Sequence, residues 1–176
     1  LVLKDPRMIW FRQLWSDAAA ELGVTPGFVV MLRHPAEVSA SRSTYYSARD
    51  VAAVAGWINV ALMSESATEV SPRRFVHYPD LLTDWRAELG GVAQALGLSY
   101  EPAIDQRPHP VDEHIDPNLR RMSSGWDGVA VPGVLSDLAE RAFLALQRES
   151  QRPGSVTAEE LAALRRDYAE LYDFAE

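Results

Sequence analysis

The sequence predicts a three-layer α/β fold in which a parallel sheet carries helices on both of its faces. Two observations lead to this prediction: short apolar runs alternate with stretches of helical periodicity, and the clearest run is apolar throughout. Parallel strands need helical crossovers because a tight turn cannot join them. We therefore expect parallel strands at residues 2–3, 29–32 and 75–77.

The composition limits the functions that the chain can serve. With 17 basic and 25 acidic residues among 176, the net charge is −8, which argues against general nucleic-acid binding. Without cysteine, disulfides and thiolate metal sites are excluded and a reducing, cytoplasmic location is expected. No apolar run approaches the roughly 20 residues of a membrane span, so no membrane partner is expected. The length suits one domain, residues 1–176.

The first residues have the composition of a strand that is already in progress. Leu1-Val2-Leu3 is apolar and does not begin with methionine, so we expect the fold to be truncated at its N-terminus. A helix is predicted over residues 8–22, where apolar side chains recur at near-helical spacing and Gly23 marks the end.

The strongest strand signal lies at residues 28–32, where five apolar residues stand between Gly27 and Arg33. Such a run predicts a strand that is buried on both faces. Pro35 suits the first position of the helix that follows, and Glu37 in its first turn complements the helix dipole.

Two further helices and one strand complete the predicted core. A helix is expected over residues 48–69, ahead of the break at Pro72. A short strand at 75–77 then leads into a helix over 79–96, which Gly97 ends.

The remaining residues divide into a long loop and two helices. Residues 99–116 lack periodicity and are rich in proline, which favours a lid or binding segment, and 118–122 form a short basic turn or helix. Amphipathic helices are expected over 134–151 and 157–174, the second opened by a capping box at Thr157.

A candidate anion site lies at the end of the 28–32 strand. Ligands bind at the carboxyl edge of a parallel sheet, where Arg33 and exposed helix N–H groups would hold a phosphate or sulfate. Ser41 lies two turns into the helix, and helical side chains lean back toward the N-terminus, so its hydroxyl is expected to reach the same anion. The alternative is an ordinary strand and helix with an arginine at the strand end.

Three segments, in this order, resemble motifs of sulfotransferases that use 3′-phosphoadenosine 5′-phosphosulfate (PAPS). They are Lys4-Asp5-Pro6-Arg7, then Arg33-His34-Pro35 with Ser41, then Phe75-Val76-His77-Tyr78-Pro79-Asp80-Leu81-Leu82. The resemblance is to bacterial and tyrosylprotein-type enzymes and covers residues 1–130. It implies a P-loop-NTPase-like sheet carrying the nucleotide and substrate sites, followed by C-terminal helices at 131–176.

The resemblance also implies roles for individual residues. Lys4 is expected to be catalytic, by stabilising charge on the transferring group. The expected nucleotide-binding residues are Arg33, Ser41, Tyr78, Arg120 and Arg121, and the 3′-phosphate is expected at the arginines and the serine. The residues alone leave open a solvated Lys4, a core Tyr78 and a solvated basic turn at Arg120-Arg121.

The acceptor is expected to be a small molecule, a glycan or a peptide that offers a hydroxyl or an amine. Asp5, Arg7, His109 and His114 are the candidate acceptor-site residues. No metal is expected, because the two loop histidines lack metal-ligand spacing.

One element of the family is not found in the sequence. These enzymes hold the 5′-phosphosulfate in a loop upstream of the Lys-Asp-Pro segment, and no Gly-x-x-x-x-Gly-Lys-Ser/Thr occurs in this chain. Whether the chain is active without upstream residues therefore stays open. One competing hypothesis is a non-catalytic nucleotide-binding or interaction module. The other is a nucleotide kinase, and the lack of this motif argues against the kinase.

Overall fold

A computed structural model describes residues 1–5, 7–46, 49–120 and 125–175. The helices and strands follow in the order α1 (Arg12–Glu21), β1 (Phe28–Leu32), α2 (Pro35–Tyr46), α3 (Asp50–Thr68), β2 (Arg73–His77), α4 (Tyr78–Thr83), α5 (Trp85–Leu96), α6 (Gly133–Gln151) and α7 (Ala158–Ala175). Single 3-10 turns occur at Met8–Phe11, Pro110–Glu113 and Pro117–Leu119. The fold is mixed α/β and mostly helical.

The sheet consists of β1 and β2, which pair in parallel with Phe28 opposite Arg73 and Leu32 opposite His77. Two helices, α2 and α3, form the crossover that parallel pairing requires. Two of the three predicted strands are therefore confirmed, together with their direction.

The predicted strand at residues 2–3 is not seen in this structure. Residues 1–5 are irregular, and Val2 and Leu3 are 92% and 44% exposed. A strand persists only through hydrogen bonds to a neighbouring strand, and in the described residues β1 pairs with β2 alone. The described sheet thus has two strands, and the expected three-layer, P-loop-type sheet is not present in it.

The prediction that β1 is buried on both faces is wrong. Val29 and Met31 are 50% and 49% exposed, whereas Leu32 points into the core. The cause is the position of α5. This helix lies over β2, where Gly91 adjoins the guanidinium of Arg74, and its last residue, Leu96, contacts Gly27 just before β1.

The core lies between three long helices, α3, α6 and α7, and the sheet face that carries Leu32 and Phe75. Its larger cluster joins α3, α6 and α7 through buried aliphatic side chains: Val54, Ile58, Leu62, Leu135, Leu138, Ala139, Ala142, Ala145 and Leu164. A second cluster connects the sheet to α6 and α7 through Leu32, Phe75, Phe143, Leu146 and Leu161. The C-terminal helices α6 and α7 therefore pack against both strands.

Local signals set several helix ends. Gly97 follows α5 at a φ of 62°, the left-handed conformation that glycine adopts without strain. Thr157 Oγ1 accepts from the Glu160 N–H at 3.1 Å ahead of α7, as the capping box predicts. The expected continuous helix over 79–96 is instead two helices, because Asp84 leaves the helical conformation and its side chain caps α5.

Arg86 helps to hold the proline-rich loop against α5. Arg86 donates to the Ile104 carbonyl at 3.1 Å and to both carboxylate oxygens of Asp112, at 2.7 and 2.8 Å. These hydrogen bonds hold the pKa of Asp112 well below its usual range. In the part of the chain that the structure describes, no helix is long and apolar enough to cross a membrane.

Candidate anion site at the carboxyl edge of the sheet

The register of the sheet brings two predicted residues together at its carboxyl edge. Since Leu32 lies opposite His77, the residues that follow the two strands, Arg33 and Tyr78, lie side by side. The guanidinium carbon of Arg33 lies 4.6 Å from the centre of the Tyr78 ring, which is cation–π geometry.

Arg33 has a side-chain donor that no described residue accepts. Its backbone is fixed by Trp57, whose indole N–H donates to the Arg33 carbonyl at 3.1 Å. Its Nε is buried and has no hydrogen-bond partner among the described residues, although the side chain as a whole is 27% exposed. A buried guanidinium N–H without an acceptor is costly, and an incoming anion would satisfy it.

A buried carboxylate lies beside this arginine. Glu37 has no exposed surface, and its Oε1 accepts from Arg120 Nε at 3.0 Å and from Arg120 Nη2 at 2.6 Å. Its Oε2 lies 3.5 Å from Arg33 Nη2. Two cations around one carboxylate leave one net positive charge. We call Arg33, Glu37, Tyr78 and Arg120 the Glu37 cluster.

The cluster therefore unites three of the five predicted nucleotide-binding residues. Ser41, the fourth, is partly buried in α2 and lies one helical turn beyond Glu37 on the same side. The fifth, Arg121, lies outside the described residues. Their assignment to a nucleotide stays a prediction.

Sequence reasoning missed Glu37 as a site residue and assigned it to the helix dipole alone. A signal was present, because an acid four residues after an arginine faces it along a helix. The stronger contact was not visible locally, since Arg120 is 83 residues away in the chain.

The first helix N–H groups are less available than expected. His34 is buried, and its Nδ1 accepts from the Ala36 N–H at 3.2 Å, which caps α2. Its Nε2 pairs with Glu140 at 3.0 Å, and the Trp126 indole donates to the same carboxylate oxygen. The anion site thus depends on guanidinium donors more than on the amides of this helix.

The predicted catalytic segment lies in the irregular N-terminal residues. Lys4 is exposed, and within the described residues no hydrogen bond or ion pair joins Lys4, Asp5 or Arg7 to the Glu37 cluster. Arg7 pairs with Asp5 at 2.8 Å, and its side-chain and backbone hydrogen bonds lower the pKa of Asp5 to about 2. Such a carboxylate is a poor proton acceptor at neutral pH.

The two loop histidines differ in their surroundings. His109 is buried against the Trp85 ring, with the ring centres 4.8 Å apart, and its Nδ1 accepts from the Val111 N–H at 3.2 Å. Such contacts give His109 a role in ordering the loop. His114 is exposed at the end of the Pro110–Glu113 turn. Across the described residues, no group of three or more His, Asp or Glu side chains could hold a metal.

The site is thus suited to binding an anion next to an aromatic ring. Guanidinium donors with unused N–H groups recognise phosphate and sulfate oxygens, and the partly buried setting strengthens such contacts.

Comparisons of the chain with family models, with curated proteins and with solved structures found no match.

Proposed function

We propose that the chain is part of a cytoplasmic PAPS-dependent sulfotransferase and that the Glu37 cluster binds the 3′-phosphate of the nucleotide. The observation that carries this proposal is the buried Arg33 Nε, which has no acceptor among the described residues. The same guanidinium lies over the Tyr78 ring and shares Glu37 with Arg120. The order of the three sequence motifs supports the same assignment.

The residues present suit one half of the donor nucleotide. Arg33 and Arg120 would hold the 3′-phosphate, with the Ser41 hydroxyl one turn further along α2. Tyr78 would contact the nucleotide with the part of its ring that Arg33 leaves open. The bound donor supplies an activated sulfuryl group, which passes from a phosphate oxygen to the hydroxyl or amine of the acceptor as the acceptor loses a proton.

A catalytic role for Lys4 requires a sheet with a third strand. If residues 2–3 added to the open edge of β1 as a third parallel strand, Lys4 would end at the same carboxyl edge as Arg33. A cation there stabilises charge that grows in the transition state. The proposed three-layer fold and the catalytic role of Lys4 therefore stand or fall together.

A non-catalytic nucleotide-binding module is the second candidate. It is favoured by the completeness of the Glu37 cluster without Lys4, and by the lack of a Gly-x-x-x-x-Gly-Lys-Ser/Thr motif in the sequence. Both candidates require the same 3′-phosphate site, so binding is tested first and transfer second.

The binding experiment is calorimetric titration of the 176-residue chain with three nucleotides. Adenosine 3′,5′-bisphosphate should bind at least about tenfold more tightly than 5′-AMP, because only the former offers a phosphate to the two arginines. Adenosine 2′,5′-bisphosphate is the charge-matched control and should bind like 5′-AMP. Equal affinity for all three nucleotides would refute the site.

Transfer of radiolabelled sulfate from PAPS to a panel of hydroxyl and amine acceptors then separates the two candidates. Transfer that the Lys4→Ala variant abolishes while nucleotide binding persists would support the enzyme. Nucleotide binding without transfer would support the module if transfer stays absent when the residues encoded upstream of Leu1 are included.

A further inference from the structure

We propose that Glu37 is a positioning residue that holds Arg33 and Arg120 together as a preformed clamp for a phosphate monoester. The inference rests on the proposed function for the identity of the ligand. Its structural part, that Glu37 places Arg120, concerns the free protein and can be tested without any ligand.

The hydrogen bonds to Glu37 use only some of the donors of the two arginines. Arg120 turns its Nε and Nη2 toward a single oxygen of Glu37, at 3.0 and 2.6 Å. The contacts of Arg120 with Glu37 involve its Nε and Nη2, and the Nε of Arg33 has no acceptor among the described residues. A carboxylate that satisfies one edge of a guanidinium fixes its plane while the other edge stays open to a ligand.

Glu37 also ties a distant segment to α2. Arg120 follows the short 3-10 turn Pro117–Leu119, and its side chain is 37% exposed. Long exposed side chains lose entropy when they are fixed, so an isolated Arg120 would sample many rotamers. The fully buried carboxylate of Glu37 supplies the charge-assisted contact that holds it in one position.

Charge and positioning predict opposite effects of Glu37→Gln on anion binding. In the wild type, two arginines and one carboxylate give the cluster a charge of +1, and Glu37→Gln raises it to +2. If Glu37 only competed with the ligand for the arginines, the variant would bind anions more tightly. If Glu37 positions the arginines, the variant would bind more weakly although its charge is higher.

The chain contains a matched control for the cost of neutralising a buried glutamate. Glu65, whose side chain is 2% exposed, lies 3.2 Å from Arg73 and 2.7 Å from Arg165. Arg73 begins β2, at the end of the sheet opposite to the candidate site. Glu65→Gln therefore reproduces the loss of a buried carboxylate between two arginines without touching the Glu37 cluster.

The ligand-free experiment is limited trypsin digestion of the wild type, Glu37→Gln and Glu65→Gln. Cleavage after Arg120 should become about tenfold faster in Glu37→Gln, because the freed side chain can enter the protease. The control should cleave there at the wild-type rate once its thermal stability is taken into account. An unchanged rate in Glu37→Gln would overturn the positioning role.

The second experiment is titration of the same variants with adenosine 3′,5′-bisphosphate and its 2′,5′ isomer. Glu37→Gln should weaken binding of the 3′,5′ isomer about tenfold, which is the lower end of the loss that removing an outer-shell partner causes at metal sites. Glu65→Gln should retain wild-type affinity. Circular dichroism verifies folding, and Glu37→Asp, which keeps the charge, replaces Glu37→Gln if that variant does not fold.

The outcomes distinguish this inference from the proposed function. Unchanged or tighter binding by Glu37→Gln, in a wild type that prefers the 3′,5′ isomer, would overturn the positioning role and leave the nucleotide site standing. If Glu37→Gln is cleaved faster after Arg120 but the wild type shows no preference among the nucleotides, the positioning role would be supported and the proposed function refuted.

Discussion

The replacement of Arg33 by alanine separates ligand binding from folding. Arg33 contributes little to the internal ion pairs, since its Nη2 is 3.5 Å from Glu37 while Arg120 makes two shorter hydrogen bonds to the same carboxylate. After the substitution Glu37 remains compensated. The loss in stability should therefore be about 1–2 kcal/mol, from a long ion pair and a cation–π contact with Tyr78.

The expected loss in nucleotide binding is larger. Arg33 offers a buried Nε and further N–H groups to the phosphate, and charge-assisted contacts in a partly buried site contribute about 2–4 kcal/mol. Binding of adenosine 3′,5′-bisphosphate should weaken by roughly 30- to 1000-fold. Binding of 5′-AMP should hardly change, because it lacks the phosphate that Arg33 contacts.

The assay is calorimetric titration of both nucleotides, with thermal unfolding measured on the same samples. Arg165→Ala is the matched control, because it removes an arginine of similar exposure from the ion pair with the other buried glutamate, Glu65. Arg33→Lys should recover only part of the affinity, since an ammonium cannot stack or bind with two parallel hydrogen bonds. Equal losses for the two nucleotides, or no loss for either, would refute the assignment of Arg33 to the 3′-phosphate.

Three further predictions concern the rim of the site, the core and the loop. Ser41→Ala should weaken binding of adenosine 3′,5′-bisphosphate by about 1 kcal/mol in the same titration, and an unchanged affinity would place the hydroxyl outside the site. In urea unfolding, Ile58→Ala should lower the free energy of unfolding by about 2–5 kcal/mol because Ile58 is fully buried, whereas Met31→Thr on the exposed face of β1 should change it by less than about 0.5 kcal/mol. Comparable losses in the two variants would contradict the open face. Because Arg86 lowers the pKa of Asp112, this pair stabilises the fold above pH of about 4 and the effect is lost as the pH falls through the lowered pKa. The difference in Tm between the wild type and Asp112→Asn should therefore shrink below pH 4, and a difference that is independent of pH would argue against the pair.

Local sequence determined most helices and the direction of the two strands. Pro35 begins α2, Gly97 ends α5 and the Thr157 hydroxyl caps the approach to α7, because each acts through its own backbone and its nearest neighbours. A long helical crossover between two apolar runs also permits the parallel pairing that a short turn would exclude. These features depend on contacts within a few residues, which a sequence displays directly.

The sequence also located the arginine of the candidate site, because Arg33 directly follows an apolar run whose end can be recognised. Its partnership with Tyr78 came from the structure, since the register that pairs Leu32 with His77 places the residues that follow them side by side. The motif order that led to the sulfotransferase proposal depends, like the location of Arg33, on local sequence.

Only the tertiary structure decided how many strands the described sheet contains, which face of β1 is open, and what surrounds Glu37. A run such as 28–32 has the same composition whether one or two faces are covered, since the covering helix comes from a distant part of the chain. Glu37 appeared to serve the helix dipole, and its burial between two arginines required Arg120 to fold back across 83 residues. Such contacts depend on the packing of whole elements, and the local pattern of residues does not encode that packing.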